Sequence, residues 1–228
     1  MLKFTPILLA ILYAFAMYHF SAWRTKRELD ARSTELADPR LKALTDRMAA
    51  ALDLPRIRVN VYEIDPVNGL AAPDGRIFIT RGFFRKYQNG EVSAEELASV
   101  IAHELGHVAL GHSRRRMIDF SGQNALRTAL AMILSRFLPG IGVWIANGLM
   151  SLLAARLSRS DEYEADEYAA ALLTKAGIGV EPQKSLFRKL EALTNSRGGA
   201  VPAWLMSHPK TEERIAALEK HQHRWQAE

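Results

Sequence analysis

The chain has 228 residues, enough for one domain with a sizeable core, and a net charge of +5 at pH 7. It has no cysteine, which excludes disulfides, thiolate metal sites and cysteine nucleophiles, so a bound metal must use histidine and carboxylate. Basic residues are scattered apart from Arg24-Thr25-Lys26-Arg27 and Arg114-Arg115-Arg116, with no aromatic-interleaved basic surface, which argues against nucleic-acid binding.

Phe4 to Trp23 carries no formally charged side chain and is long enough to cross a hydrocarbon core of about 30 Å. Residues 1–24 therefore read as a transmembrane anchor, with an uncleaved or cleaved export signal ending near Ala14-Phe15-Ala16 as the competing reading. Only Lys3 precedes the run, whereas Arg24, Lys26, Arg27 and Arg32 follow it. The positive-inside rule then predicts a single-pass protein of a bacterial-type inner membrane with its body in the cytoplasm, the periplasm being the alternative. Residues 25–37 read as a linker and 38–228 as one domain.

Asp38-Pro39 is an N-cap followed by proline at the first helical position, and Leu41, Leu44, Met48, Ala51 and Leu52 mark one face of a helix ending before Pro55. Ile57 to Ile64 alternates as a half-buried strand. Asn68-Gly69 and Pro73-Asp74-Gly75 signal turns, and Arg76-Ile77-Phe78-Ile79-Thr80 reads as a second strand. A strand at the edge of a sheet can hold an extended peptide through main-chain hydrogen bonds. Residues Arg76 to Thr80 are the candidate for that role, an ordinary core strand being the equally weighted alternative.

Ser93 and Glu96 form a capping box, and Leu97, Val100, Ile101, Leu105 and Val108 follow at helical spacing. This helix carries His103-Glu104-Leu105-Gly106-His107, an H-E-x-x-H sequence. Positions four apart share a helix face, so His103 and His107 can turn toward one ion with Glu104 alongside as a general base. His112 lies five residues past His107, about 140° round the helix, and is not counted as a ligand.

Residues 123–156 read as an apolar helical hairpin. Phe137 to Ala155 is uncharged, bounded by Arg136 and Arg156 and broken by Pro139, Gly140, Gly142 and Gly148. A single crossing there would put the two halves of the metal site on opposite sides of a membrane. The hairpin either packs over the active site or dips into the bilayer face, which makes 137–155 a second candidate lipid contact beside 4–23.

Ser158 to Asp166 opens a further helix that stops at Gly177 and contains E-x-x-x-D. Glu162 and Asp166 share a face, so one carboxylate can bind the metal while the other accepts the free ring N–H of a ligand histidine. Two histidines and one carboxylate leave zinc a fourth position for water, the arrangement of a catalytic site. Glu181-Pro182 starts another helix with Leu186, Leu190 and Leu193, and a closing amphipathic helix runs from about Thr211. His208 precedes a proline between these two, and it, His221 and His223 read by default as surface histidines.

The motifs H-E-L-G-H at 103–107, S-R-x-x-E-x-x-A-D at 158–166 and S-H-P-x-x-x-x-R-I at 207–215, with Gly75 to Gly82 upstream, together resemble the HtpX-like zinc metalloproteases of peptidase family M48. The resemblance covers roughly residues 38–220. It implies a mainly helical α+β fold of the gluzincin type, with a small sheet before the H-E-x-x-H helix. It also implies one zinc ion held by His103, His107 and Glu162, with Glu104 as base. Asp166 would accept from a zinc histidine, with Arg159 and Arg214 supporting the ligands. His208 would stabilise the oxyanion or occupy the open position at rest. The implied activity is that of a membrane-anchored endopeptidase cleaving misfolded or membrane-associated polypeptides; the alternative is a chaperone-like binding protein with little turnover. The chain departs from HtpX in showing one clear span, and it lacks the tetratricopeptide extension of some relatives.

Overall fold

The computed structural model describes residues 5–72, 74–112, 127, 130–195 and 211–227. Its elements in chain order are α1 (Thr5–Ala31), β1 (Ser33–Glu35), α2 (Pro39–Ala51), β2 (Val59–Tyr62), β3 (Gly69–Ala71), β4 (Ile77–Thr80), α3 (Arg81–Gln88), α4 (Ala94–Ala109), α5 (Gly142–Lys175), α6 (Glu181–Asn195) and α7 (Thr211–Ala227). A further helical stretch occupies 130–137. The chain divides into two compact units, Met1–Ala31 with Gly111–Arg159, and Arg32–Leu110 with Ser160–Glu228.

The second unit holds the core. Leu41 and Met48 of α2, Val59 and Val61 of β2, Ile77 and Ile79 of β4, Leu97 and Ile101 of α4, Leu173 of α5 and Leu186 of α6 form one buried cluster. Local chemistry starts these elements where the sequence places them. The Asp38 carboxylate accepts from Leu41 N at 2.9 Å, with Pro39 in the first turn of α2. Ser93 and Glu96 close a reciprocal capping box at α4, Glu96 N to Ser93 Oγ at 3.1 Å and Ser93 N to Glu96 Oε2 at 2.8 Å. Glycine ends α5, Gly177 adopting φ +67.

The sheet runs β1-β2-β4-β3, with β2 and β4 parallel and the outer pairs antiparallel. This order corrects the expected substrate strand. Ile77–Thr80 has hydrogen-bonded neighbours on both sides and all four of its residues are buried, so its main chain has no open edge for a peptide. β3 is the outermost strand on that side and packs on α4. The pair Asn68-Gly69 leads into it: Thr80 Oγ1 accepts from Asn68 N and donates to Asn68 O, both at 3.0 Å.

Two expectations for the helices change as well. α1 continues without a break through Arg24, Lys26, Arg27, Glu28 and Asp30, and Tyr13 and His19 put polar groups into its apolar stretch. Among the described residues no helix is long and apolar enough to cross a membrane, so the transmembrane helix expected over 4–23 is not found. Ser158 does not start a helix, because α5 runs unbroken from Gly142 and carries the second arm of the apolar hairpin into the E-x-x-x-D segment.

Candidate metal centre

Three helices supply the site, through residues that all lie in the second unit. α4 presents His103 and His107 one turn apart, and α5 presents Glu162 and Asp166 in the same relation. The two helices meet at Gly106, the one residue of H-E-L-G-H without a side chain. A methyl group there would come within 3.0 Å of Ala165 O and 3.1 Å of Ala165 Cα. Glycine at this position lets the backbones touch and brings the carboxylates within reach of the histidines.

His103, His107 and Glu162 each offer a ligand atom, all within 4.8 Å of one another, and all three residues are buried. His103 Nε2 lies 3.2 Å from His107 Nε2 and 3.4 Å from Glu162 Oε2, and His107 Nε2 lies 3.5 Å from Glu162 Oε1. Tetrahedral zinc with bonds of about 2.0–2.1 Å separates its ligand atoms by about 3.3–3.4 Å. The donor set and its spacing therefore fit zinc. Glu104, beside His103 on α4, is also buried.

The orientation of His103 is fixed from behind. Its Nδ1 is 2.9 Å from Asp166 Oδ1. A carboxylate can only accept, so Nδ1 carries a hydrogen and Nε2 is the nitrogen turned to the metal side, able to bind metal once it is unprotonated. Arg214 of α7 grips the same carboxylate at two points, Nη2 to Oδ1 at 2.6 Å and Nε to Oδ2 at 2.5 Å. The 3.4 Å approach of Arg214 Nη2 to His103 Nδ1 follows from two donors sharing Oδ1 and is not itself a bond between them.

Electrostatics follow from this arrangement. Burial acts to raise the Asp166 pKa, but the Arg214 charge and hydrogen bonds outweigh it and hold the carboxyl at about 2. Burial acts to lower that of His103, but hydrogen bonds to Asp166 and Glu162 outweigh it and raise it to about 9 in the metal-free site.

Some supporting residues were not visible in the sequence. Phe187 of α6 lies under the Arg214 guanidinium, 4.4 Å from ring centre to Cζ, and Gln183, one turn earlier, places Nε2 3.4 Å from both Asp166 O and Asp166 Oδ1. The same helix reaches the start of α4: Ser185 Oγ donates to Glu96 Oε1 at 2.6 Å and Lys189 Nζ to Glu96 Oε2 at 2.7 Å. The capping carboxylate is thus also the anchor of α6, and α6 braces both ends of the site. The only sequence signal was a glutamine and a phenylalanine four apart on the face of an otherwise leucine-lined helix.

Of the remaining candidates, Arg159 is exposed, Arg76 to Thr80 include the inner strand described above, and His208 lies outside the described residues. His112 is not in the ligand cluster found among the described residues.

Residues 35–222 match the model of peptidase family M48. A protease HtpX homolog of Salinibacter ruber is 31% identical over 255 aligned residues, covering 94% of this chain and 87% of that protein. Metalloprotease LoiP of Escherichia coli is 30% identical over 199 residues, 82% of this chain and 73% of LoiP. The mitochondrial metalloendopeptidase OMA1 of Bos taurus is 27% identical over 169 residues; the matched region is 71% of this chain but spans only 32% of OMA1.

Proposed function

The chain belongs to peptidase family M48, and from that premise we propose that it is a zinc-dependent endopeptidase acting on extended segments of misfolded or membrane-associated polypeptides. The observation that carries this reading is the convergence of His103, His107 and Glu162 within 4.8 Å beside the buried Glu104. His103, His107 and Glu162 would hold the zinc, with one position left for water and substrate. Bound there, zinc polarises the scissile carbonyl and acidifies the attacking water.

The protein's own groups do the rest. Glu104 takes the proton of the attacking water and delivers it to the amine as the peptide C–N bond breaks. Asp166 and Arg214 keep the His103 ring in the tautomer that binds metal. His208, carried over from the family motif, stabilises the oxyanion. The substrate adds along the outer edge of β3, which passes close to the base: a methyl group at Gly69 would sit 3.2 Å from Glu104 Oε1. Strand addition needs free main-chain groups, which folded proteins withhold, and this favours unfolded segments as substrate. The location that accompanies this reading is a membrane surface.

The test is casein digestion by the purified chain with zinc content measured in parallel. Activity should be lost to a chelator and restored by zinc. Glu104→Gln should lose cleavage and keep one zinc per chain, and a variant that still cleaves would remove Glu104 from the base role.

A further inference from the structure

Gln183 stands in the first turn of α6 and is 1% exposed. Its side-chain amide nitrogen lies 3.4 Å from both Asp166 O and Asp166 Oδ1. Both neighbours are acceptors, so the amide must present its NH2 to them, and its carbonyl oxygen points the other way. No donor among the described residues reaches that oxygen, which is itself buried. An orphan buried acceptor lowers stability, whereas an apolar side chain of the same shape would fill the space without it. Packing alone therefore does not account for a glutamine at this position.

What the glutamine does follows from the two atoms it touches. Arg214 grips both oxygens of the Asp166 carboxylate, but it comes from α7, so this pair alone fixes the carboxylate relative to α7. Gln183 joins the carboxylate to the main-chain carbonyl of its own residue. Within α5 that carbonyl gives one lone pair to the helix ladder, and the amide takes the other. One planar NH2 spanning both oxygens limits rotation about the Asp166 side-chain bonds and so refers the carboxylate to α5, the helix that carries Glu162. Asp166 Oδ1 in turn holds His103 Nδ1 at 2.9 Å, and His103 Nε2 faces Glu162 Oε2 at 3.4 Å. Through Ser185 and Lys189, α6 also holds Glu96 at the start of α4. It is thus tied to both ligand helices, and Gln183 is its contact on the metal side.

We propose that Gln183 is a positioning residue of the metal centre, a role that rests on reading His103, His107 and Glu162 as zinc ligands. It locks the Asp166 side chain in the rotamer that turns His103 toward Glu162, and its orphan carbonyl oxygen is the stability given up for that lock. Zinc affinity and fold stability should therefore part company at this residue. A side chain that only packs would move both in the same direction. One that acted on the metal by another route would do so whether or not Asp166 is intact.

The experiment compares the full-chain wild type with Gln183→Met, Asp166→Asn and the double variant. Zinc affinity is measured by competition with a chromogenic chelator, and the stability of the metal-free proteins by chemical denaturation. Gln183→Met keeps the side-chain length and loses both the amide donor and the orphan oxygen. It should bind zinc about tenfold more weakly, while its metal-free form is at least as stable as the wild type. In the Asp166→Asn background the same substitution should change zinc affinity by about twofold or less, because Gln183 acts through that carboxylate. Unchanged zinc affinity in Gln183→Met, or an equal loss with Asp166 already replaced, would overturn the proposal. So would a Gln183→Met protein that is less stable than the wild type or does not fold, which would make Gln183 a packing residue. Absence of zinc binding by the wild type would remove the metal reading and this role with it; the other adverse outcomes leave the metal reading standing.

Discussion

Arg214 and Asp166 form a two-point ion pair with almost no solvent access, at 2.5 and 2.6 Å, and the oxygen that takes Nη2 also takes the ring hydrogen of His103. A pair of this kind is costly to break from one side, because the remaining charge stays buried; removal of one partner costs about 3–5 kcal/mol. Arg214→Met should therefore lower the melting temperature and weaken zinc binding about 10- to 100-fold, measured by competition with a chromogenic chelator. Arg214→Lys, which keeps the charge and loses the fork, should fall between. Unchanged zinc affinity in Arg214→Met would show that the guanidinium does not act through Asp166 on the metal site.

Gly106 sets the distance between the two ligand helices. Gly106→Val adds branched bulk where a single methyl already meets Ala165 O at 3.0 Å and Tyr168 Cβ at 3.3 Å. The expected result is separation of α4 from α5, with loss of bound zinc at a concentration that saturates the wild type. Stoichiometric zinc in a folded Gly106→Val protein would contradict this.

Zinc binding should depend on pH through His103. Its pKa in the metal-free site is raised to about 9, so the ring is protonated at neutral pH and must lose that proton to bind metal. Affinity should rise with pH up to about 9 and then level off, and zinc addition near pH 7.5 should release a proton measurable in weak buffer. Asp166→Asn removes the carboxylate charge behind the stronger of the two raising hydrogen bonds and should flatten the dependence. A pH-independent affinity between 7 and 9 would exclude the raised pKa.

The brace at the start of α4 gives a stability prediction of opposite sign. Burial acts to raise the Glu96 pKa, but hydrogen bonds from Lys189 and Ser185 outweigh it and the value is lowered. A group whose folded pKa is depressed stabilises the fold above its unfolded pKa, and this is lost as pH falls through the folded value. Lys189→Met should therefore destabilise at neutral pH, by about 1 kcal/mol or less because Lys189 is partly exposed. The gap to wild type should narrow in acid, as chemical denaturation at several pH values would record. A gap that widens toward low pH would assign the effect to lost packing of the lysine stem.

What the sequence made legible is what spacing of three or four residues encodes. Ser93 with Glu96, His103 with His107 and Glu162 with Asp166 are each local relations on one helix, so they could be read before any fold was known. Strand order could not. β1 and β3 are too short to alternate, and the parallel pairing of β2 with β4 passes over β3 in the chain, which moved the expected edge strand to the interior. One clue was available: Ile77-Phe78-Ile79-Thr80 lacks the polar alternation of a half-exposed strand. Ser158 misled for the same local reason, since its chemistry permits an N-cap while the turns before it continue the helix. Gln183, Phe187 and Arg214 gain their meaning only when α6 and α7 fold back on α5.

That folding back orders events in time. His103 and Arg214 are separated by 111 positions, so their meeting requires one of the longer loop closures among the described residues. A chain emerging N-terminus first holds the H-E-x-x-H helix well before it holds the guanidinium that fixes Asp166. Through that interval the Asp166 carboxylate that orients His103 lacks its guanidinium partner. The centre is thus assembled late, from a ligand helix and a guanidinium far apart in the chain, and is complete only once α7 has closed on Asp166.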